Sequence, residues 1–331
     1  METTAIQIAP KKSLLRSDAT QMLLAFAGLL ALCVIFSVAS PIFLTFDNIS
    51  GILLATAVNG VLALGVTFII ITGGIDLSVG TVMTLAAVMT GVFITNWGLP
   101  IPIGVLAGLL TGALAGFLNG TIIAKMKIPP FIATLGIMMV AKGLSLVISG
   151  VKPIYFNDTP AFSKISMGSI IGVFAPSLSI PNAVLILFIA AIVAAIILSK
   201  TVLGRYDVAL GSNEEATRLS GVNVNAWKIA IYALGGTFSG LAGVVIASRL
   251  NSAQPALGAG YELDAIAAVV IGGTSLSGGE GTILGTIIGA FIISTLTNGL
   301  RILSVPQEWQ MVVTGAIVIL AVYADIIRRR K

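Results

Sequence analysis

The sequence predicts an all-α integral membrane protein with about ten transmembrane helices, including broken or re-entrant segments. Two observations lead to this prediction. Of the 331 residues, 57% are hydrophobic and 9% are charged, whereas a soluble domain carries roughly 25% charged residues. The mean hydropathy is +1.07. A single soluble core cannot hide so much apolar surface, so lipid must be the solvent for most of it.

Ten apolar segments follow one another along the chain, and most approach the roughly 20 residues that cross a bilayer. Segment 263–274 is short, so we expect it to be broken or re-entrant. Glu262 and Asp264 lie at its start, where acidic side chains suit a helix N-terminus. The ten segments are residues 21–43, 51–72, 80–97, 100–122, 131–149, 182–199, 229–248, 263–274, 282–300 and 310–326.

The distribution of basic residues predicts the orientation in the membrane. An even number of spans places both termini on one side of the membrane. If that side is the cytoplasm, thirteen Lys and Arg residues fall in cytoplasmic segments and four in outer segments. We therefore expect a cytoplasmic N-terminal tail over 1–20 without a cleaved signal peptide. One transmembrane domain follows over 21–326, with an outer loop at 150–181 and a cytoplasmic polar stretch at 201–228, and a basic tail ends the chain at 327–331.

The polar stretch 201–228, called the polar island below, gathers charge between two apolar runs. Ser212 followed by Glu215 predicts a capping box that opens a short helix. Gly221 is expected to end this helix in a left-handed conformation. A helix of about two turns is not stable alone, so other residues must hold it. The alternative is a solvated loop that merely joins two spans.

Four stretches of the chain carry a resemblance to one protein family. Residues 211–224 (GSNEEATRLSGVNV) are similar to the cytoplasmic loop of ribose-type sugar ABC importer permeases. Other stretches of these permeases are similar, in the same order, to residues 72–80 (TGGIDLSVG), to residues 128–135 (IPPFIATL) and to residues 252–279, which begin with SAQP. The resemblance runs from about residue 40 to the C-terminus and is specific for the family, much less so for the sugar.

The resemblance implies a permease subunit in the bacterial inner membrane that works with other chains. Two such subunits, alike or different, pair in the bilayer. An ATP-binding subunit docks at the cytoplasmic face, and a periplasmic or lipid-tethered protein delivers a monosaccharide, ribose by default. The polar island would then hold the coupling helix. Its contact residues would be Gly211, Asn213, Glu214, Glu215, Ala216, Arg218, Leu219 and Gly221.

Two glycine stripes recur at every fourth residue, which places each stripe on one helix face where backbones approach closely. They serve either a sliding interface or tight static packing. In addition, residues 73–80 weakly repeat at 272–279, as two glycine-rich turns that each follow an apolar run. The first stripe comprises Gly104, Gly108, Gly112 and Gly116, and the second comprises Gly281, Gly285 and Gly289.

Five polar residues in or beside apolar segments are candidates for a gate or a sugar pathway. Asp76 either caps the helix that starts near Ser78 or shapes a gate, since carboxylates within membranes are functional candidates. Asn59, Asn119 and Asn298 either bond across helices or touch sugar hydroxyls. A further basic residue, Lys142, lies within a span, and its long stem could reach toward the membrane surface.

The composition argues against several other classes of protein. The chain has no histidine and one cysteine, Cys33, so an enzyme with clustered acid, base or metal-binding residues is not expected. We expect no metal, no cofactor and no nucleic-acid partner, because the basic residues are scattered among apolar segments. No G-x-x-x-x-G-K-[ST] motif occurs, so ATP phosphates cannot bind a Walker A loop here. A self-energised secondary transporter is the alternative function, although carboxylates within spans are nearly absent.

Overall fold

Helices make up nearly all of the fold in the computed structural model, which describes residues 18–174 and 179–330. In chain order the helices are α1 Asp18–Ala39, α2 Phe46–Ile71, α3 Val79–Gly91, α4 Ile101–Met126, α5 Pro130–Ser149, α6 Pro160–Met167, α7 Ile170–Phe174, α8 Asn182–Lys200, α9 Val202–Ser212, α10 Glu214–Leu219, α11 Val224–Leu250, α12 Tyr261–Ile271, α13 Ile283–Ile302 and α14 Gln307–Arg330. A π-helical turn, Val92–Asn96, continues α3. The strands β1, Ile154–Tyr155, and β2, Ser252–Ala253, form one antiparallel pair.

The predicted all-α membrane fold is confirmed. Each of the ten apolar segments corresponds to a helix, and eight of the described helices are long and apolar enough to cross a membrane. Helix α12 has only 11 residues, so it is about 16 Å long against a hydrocarbon core of about 30 Å. The expected short segment is therefore present, with Glu262 and Asp264 in its first turn.

Helix α2 occupies the centre of the bundle, and 89% of the residues in its apolar stretch are buried. Helices α8, α11, α12 and α13 pack around it. Helices α4 and α11 also pack tightly against each other, and both contact α3. Because α2 is hydrophobic all round, it is suited to such a position rather than to the lipid boundary.

The island and the strand pair lie at opposite ends of the bundle, called the island face and the strand face below. At the strand face, α6 is fastened to α11 because the Ser166 hydroxyl donates to the Val245 carbonyl at 2.8 Å. At the island face, the ammonium group of Lys127 donates to the Asn225 side chain at 3.2 Å. The assignment of the island face to the cytoplasm stays a prediction from the charge distribution.

The predicted terminal segments are only partly described. Residues 1–17 of the tail predicted at 1–20, residues 175–178 of the outer loop and Lys331 lie outside the described residues. The rest of the loop 150–181 contains β1, α6 and α7. The basic segment expected as a tail from residue 327 instead continues α14 up to Arg330.

Candidate functional site

The polar island consists of two consecutive helices rather than one. Thr201 caps α9 by accepting from the Gly204 N–H at 3.4 Å. Asn213 caps α10 by accepting from the Ala216 N–H at 2.9 Å. The prediction that Ser212 opens the short helix with a capping box was wrong. Ser212 ends α9, and its hydroxyl donates to the Val208 carbonyl at 2.8 Å, because the neighbouring Asn213 is the better placed cap.

Side chains hold α10 in place although it has only six residues. The Thr217 hydroxyl lies 3.0 Å from the Ala209 carbonyl oxygen of α9. Glu214 forms an ion pair with Lys228 of α11 at 2.6 Å, and Glu215 pairs with Arg218 within α10. Gly221 follows with a φ of 84°, which is the left-handed conformation expected at the helix end. The neighbouring helices therefore supply the stability that α10 lacks alone.

The candidate coupling residues divide into an exposed group and one buried contact. Leu219 is 80% exposed and lies beside charged side chains of α10. Gly211 instead packs inward, because a β-carbon on it would overlap the carbonyl oxygen of Ile71. The exposed group comprises Asn213, Glu214, Glu215, Ala216, Arg218, Leu219 and Gly221.

Gly211 lies where the two glycine-rich turns meet. The N–H of Gly279, in the second turn, donates to the carbonyl of Ile71, just before the first turn, at 2.8 Å. A β-carbon on Gly278 would lie 2.9 Å from both the Gly211 carbonyl oxygen and the Gly73 nitrogen. The weak sequence repeat thus corresponds to a direct contact, and the end of α9 touches both turns.

One functional candidate in the island was missed by the sequence analysis. Asp207 is fully buried on the face of α9 that also carries Gly204 and Leu210. Neither carboxyl oxygen has a hydrogen-bond partner among the residues that the structure describes. Burial raises the pKa of this carboxyl well above its ordinary value, because a low-dielectric environment disfavours the charged form. Its i, i+3 spacing to Gly204 and Leu210 is the pattern in the sequence that points to the inner face.

Three of the five gate or pathway candidates meet in one buried cluster. The Asp76 carboxylate accepts from the N–H and hydroxyl of Ser78 at 2.7 and 2.6 Å. The Asn119 amide donates to the Ser78 hydroxyl at 2.9 Å and to Asp76 at 3.4 Å. All three side chains are at most 2% exposed. The cluster therefore ties the first glycine-rich turn to α3 and α4.

Asn59 and Asn298 lie apart from this cluster, on α2 and α13. The side-chain oxygen of each is buried and has no hydrogen-bond partner within the described part of the chain. A buried amide oxygen without a partner is unfavourable unless water or a ligand satisfies it. Both residues therefore stay candidates for contact with a passing solute.

The glycine stripes lie at close contacts with three helices, α3, α11 and α12. A β-carbon on Gly112 would overlap the Gly236 carbonyl of α11, and one on Gly116 would overlap that of Tyr232. Gly104 and Gly108 instead face Ile94 and Thr90, near the end of α3. On α13, Gly285 and Gly289 pack against the backbone of α12, while Gly281 faces Ile71 and Thr274. The backbone contacts of Gly112, Gly116, Gly285 and Gly289 require residues without a side chain.

Comparison with known proteins places the chain in a family. Residues 48–322 match the family described as branched-chain amino acid transport system / permease component. The chain belongs to this family. The permease is 43% identical over 303 residues to the ribose import permease protein of Haemophilus influenzae, covering 91% of each chain. It is 44% identical over 305 residues to that of Escherichia coli K12, covering 90% of the permease and 91% of the relative.

A relative named for another sugar matches less closely. The permease is 38% identical over 279 residues to the fructose import permease protein of Rhizobium meliloti, covering 83% of the permease and 76% of the relative. No solved structure matches the chain. Together with the eight apolar helices, these matches confirm the expected family and a multi-pass location in the bacterial inner membrane. The permease is a transport subunit.

Proposed function

We propose that the permease imports a monosaccharide into the cytoplasm, driven by ATP hydrolysis in a separate subunit that docks on α10. A periplasmic or lipid-tethered binding protein supplies the sugar, and a second permease subunit completes the membrane part. Two relatives that match over about 90% of the chain carry the name ribose import permease protein. Ribose is therefore the first sugar to test.

The observation that carries the coupling role is the exposed yet anchored tip of the island. Leu219 is 80% exposed, while Thr217 and Glu214 fix α10 to α9 and α11. A short helix with an apolar tip and a charged rim suits a groove on a partner protein. Because the chain has no Walker A motif, a partner is also the expected source of ATP hydrolysis.

The contacts of α9 suggest how movement passes from the tip into the membrane. Thr217 links α10 to α9, and Gly211 at the end of α9 touches Ile71 and the second glycine-rich turn. A displacement of α10 would therefore act on the end of α2 and on the second glycine-rich turn, which joins α12 to α13. Such packed contacts transmit small shifts because they are not continuously deformable.

Reconstitution tests the proposal directly. The permease, a co-purified ATPase and a sugar-binding protein are placed in proteoliposomes with ATP on the ATPase side, and uptake of labelled ribose is measured. Uptake that needs ATP and all three proteins is the expected result. Uptake by the permease alone that stops when a proton or sodium gradient is collapsed would instead support a self-energised secondary transporter. Unlabelled xylose and fructose, added in excess, rank the sugars.

A further inference from the structure

Lys142 places a positive charge on the side of α5, within its apolar span and away from both helix ends. It lies 12 residues after Pro130 and 7 before Ser149, the ends of α5. At 1.5 Å per residue these separations are about 18 Å and about 10 Å. The side chain is exposed on the single subunit, and no described residue forms an ion pair or hydrogen bond with it.

Lipid is an unfavourable environment for this ammonium group. Basic residues within membrane segments almost always face a bundle interior or a water-filled cavity. A lysine stem bridges only part of the remaining rise of about 10 Å to the end of α5. The exposed side of Lys142 therefore calls for water or protein rather than hydrocarbon.

An independent observation concerns the irregular backbone beside Lys142. Residues 254–260 leave the strand face after β2 and descend to the N-terminus of α12. Gly258 packs against the start of α3, where a β-carbon on it would overlap the Gly80 carbonyl and the Thr84 hydroxyl. Lys142, Thr84 and Gly258 line one cavity. The irregular segment therefore lies beside Lys142.

Part of this segment is open on the single subunit. Ala256 and Ala259 are exposed, and with Lys142, Thr84 and Pro255 they line a cavity of about 10 Å³, about the size of one water molecule. Non-helical backbone at membrane depth is tolerated only where protein buries it or where it lines a water-filled cavity. Two unrelated features, a lone cation and an open irregular segment, therefore both call for water or protein at one place.

We propose that Lys142 and residues 255–259 line the water-filled pathway of the transported solute, and that the Lys142 ammonium group donates hydrogen bonds to its hydroxyl groups. An ammonium group offers three donors and no acceptor, which matches the hydroxyl and ring oxygens of an uncharged monosaccharide. The identity of the solute rests on the proposed function. The exposure of Lys142 to water does not.

Cysteine accessibility tests the exposure to water. Cys33, the single cysteine, is first changed to Ser, and Lys142→Cys and Val140→Cys are then made separately. Val140 is also exposed, at 54%, but two residues along a helix differ by about 200° in direction. The pair thus compares two sides of α5 at nearly the same depth. The full transporter is treated with a negatively charged, membrane-impermeant methanethiosulfonate.

We expect the thiol of Lys142→Cys to react at least about tenfold faster than that of Val140→Cys, since the charged reagent needs water. Saturating ribose is expected to slow the reaction at residue 142 only. Equal rates at the two positions would overturn the proposal. So would an unreactive Lys142→Cys that forms a disulfide with a second permease subunit, because that face would then be a subunit contact.

Uptake by Lys142→Met and Lys142→Arg tests the hydrogen-bonding role. Met retains the length of the stem without a donor, so we expect about tenfold slower uptake, whereas Arg retains donors and most of the activity. Unchanged uptake by Lys142→Met would refute the donor role. Absence of sugar uptake by the parent protein, together with fast labelling of Lys142→Cys, would refute the proposed function and leave the water-filled pathway standing.

Discussion

Gly279 donates its N–H to the Ile71 carbonyl at 2.8 Å, so the second glycine-rich turn is bonded to the end of α2. Gly211 packs against both residues, and a β-carbon on it would lie within overlap distance of their backbone atoms. The island is thus in direct contact with both turns. This contact lies between the proposed docking tip and the centre of the bundle.

The first prediction concerns Gly211. Gly211→Ala should separate α9 from Ile71 and Gly279, lower the free energy of unfolding by about 1–3 kcal/mol, and reduce ATP-driven uptake per folded molecule. Thermal unfolding in detergent and vesicle uptake measure the two effects. Gly136→Ala is the matched control, since a β-carbon there meets nothing within 4 Å. Equal stability and uptake in the two variants would contradict the proposed contact.

The second prediction concerns the exposed tip. Leu219→Asp should abolish most ATP-driven uptake, because a charge replaces the apolar side chain that we place in the partner's groove. The free energy of unfolding should change by less than about 0.5 kcal/mol, since exposed positions tolerate substitution. Val151→Asp, at a position 71% exposed near the strand face, is the control. Normal uptake and normal ATPase binding by Leu219→Asp would argue against docking on α10.

The third prediction separates the structural and gating roles of Asp76. Asp76→Asn turns an amide NH₂ toward a donor of Ser78 or Asn119, which should destabilise the fold by about 1–3 kcal/mol. The double variant Asp76→Asn with Asn119→Asp restores a donor–acceptor pair and should recover part of this loss. Chemical denaturation of Asp76→Asn, Asn119→Asp and the double variant completes this double-mutant cycle. The idea of a shared bond fails if the two substitutions are simply additive.

Transport measurements on the same variants address the gate. A purely structural role predicts normal ribose uptake per folded molecule in Asp76→Asn. A gating role predicts lost uptake, or leakage of preloaded ribose without ATP, from a normally folded protein.

The fourth prediction concerns Asp207 and pH. An ordinary Asp carboxyl has a pKa of 3.8, and burial raises the pKa of Asp207 well above it. Above pH 3.8 the unfolded chain loses this proton while the folded chain keeps it, so stability falls as pH rises toward the folded pKa. Asp207→Asn removes this contribution. Its melting temperature should therefore exceed that of the parent by more at pH 8 than at pH 5.

Asp158 provides the control for Asp207. Asp158 is exposed in the strand-face loop, so Asp158→Asn is the matched Asp-to-Asn change at the protein surface, measured over the same pH range. A constant difference between Asp207→Asn and the parent across the pH range would mean that Asp207 is ionised in the folded protein. Measurements on the isolated permease in detergent keep partner binding out of the comparison.

Most of the spans could be predicted because each is an apolar run close to the roughly 20 residues that cross a bilayer. The cap of α10 could not, because Ser212 and Asn213 are adjacent and both suit a cap. The sequence does not say which residue still belongs to α9. Asp207 was overlooked for a related reason, since a charged residue in a polar stretch is usually solvated. Its burial depends on how α9 packs against α8, α11 and α2.

The site depends on contacts between distant parts of the chain. The repeat at residues 73–80 and 272–279 was visible in the sequence, but nothing local indicates that Gly279 bonds to Ile71. The meeting of Asp76 with Asn119 likewise follows from the packing of α3 on α4. The glycine spacing predicted close helix contacts, whereas the partner of each face, α11 for Gly112 and α12 for Gly285, required the structure.

The shortness of α12 also bears on how the protein is assembled during synthesis. A segment of 11 residues is too short to insert into a bilayer by its own hydrophobicity. Its place must form only after α13 has been made, when Gly285 and Gly289 offer a surface that its backbone can approach. The last part of the chain therefore completes a region that was translated before it. Synthesis that stops before α13 would leave residues 252–271 without a stable position in the membrane.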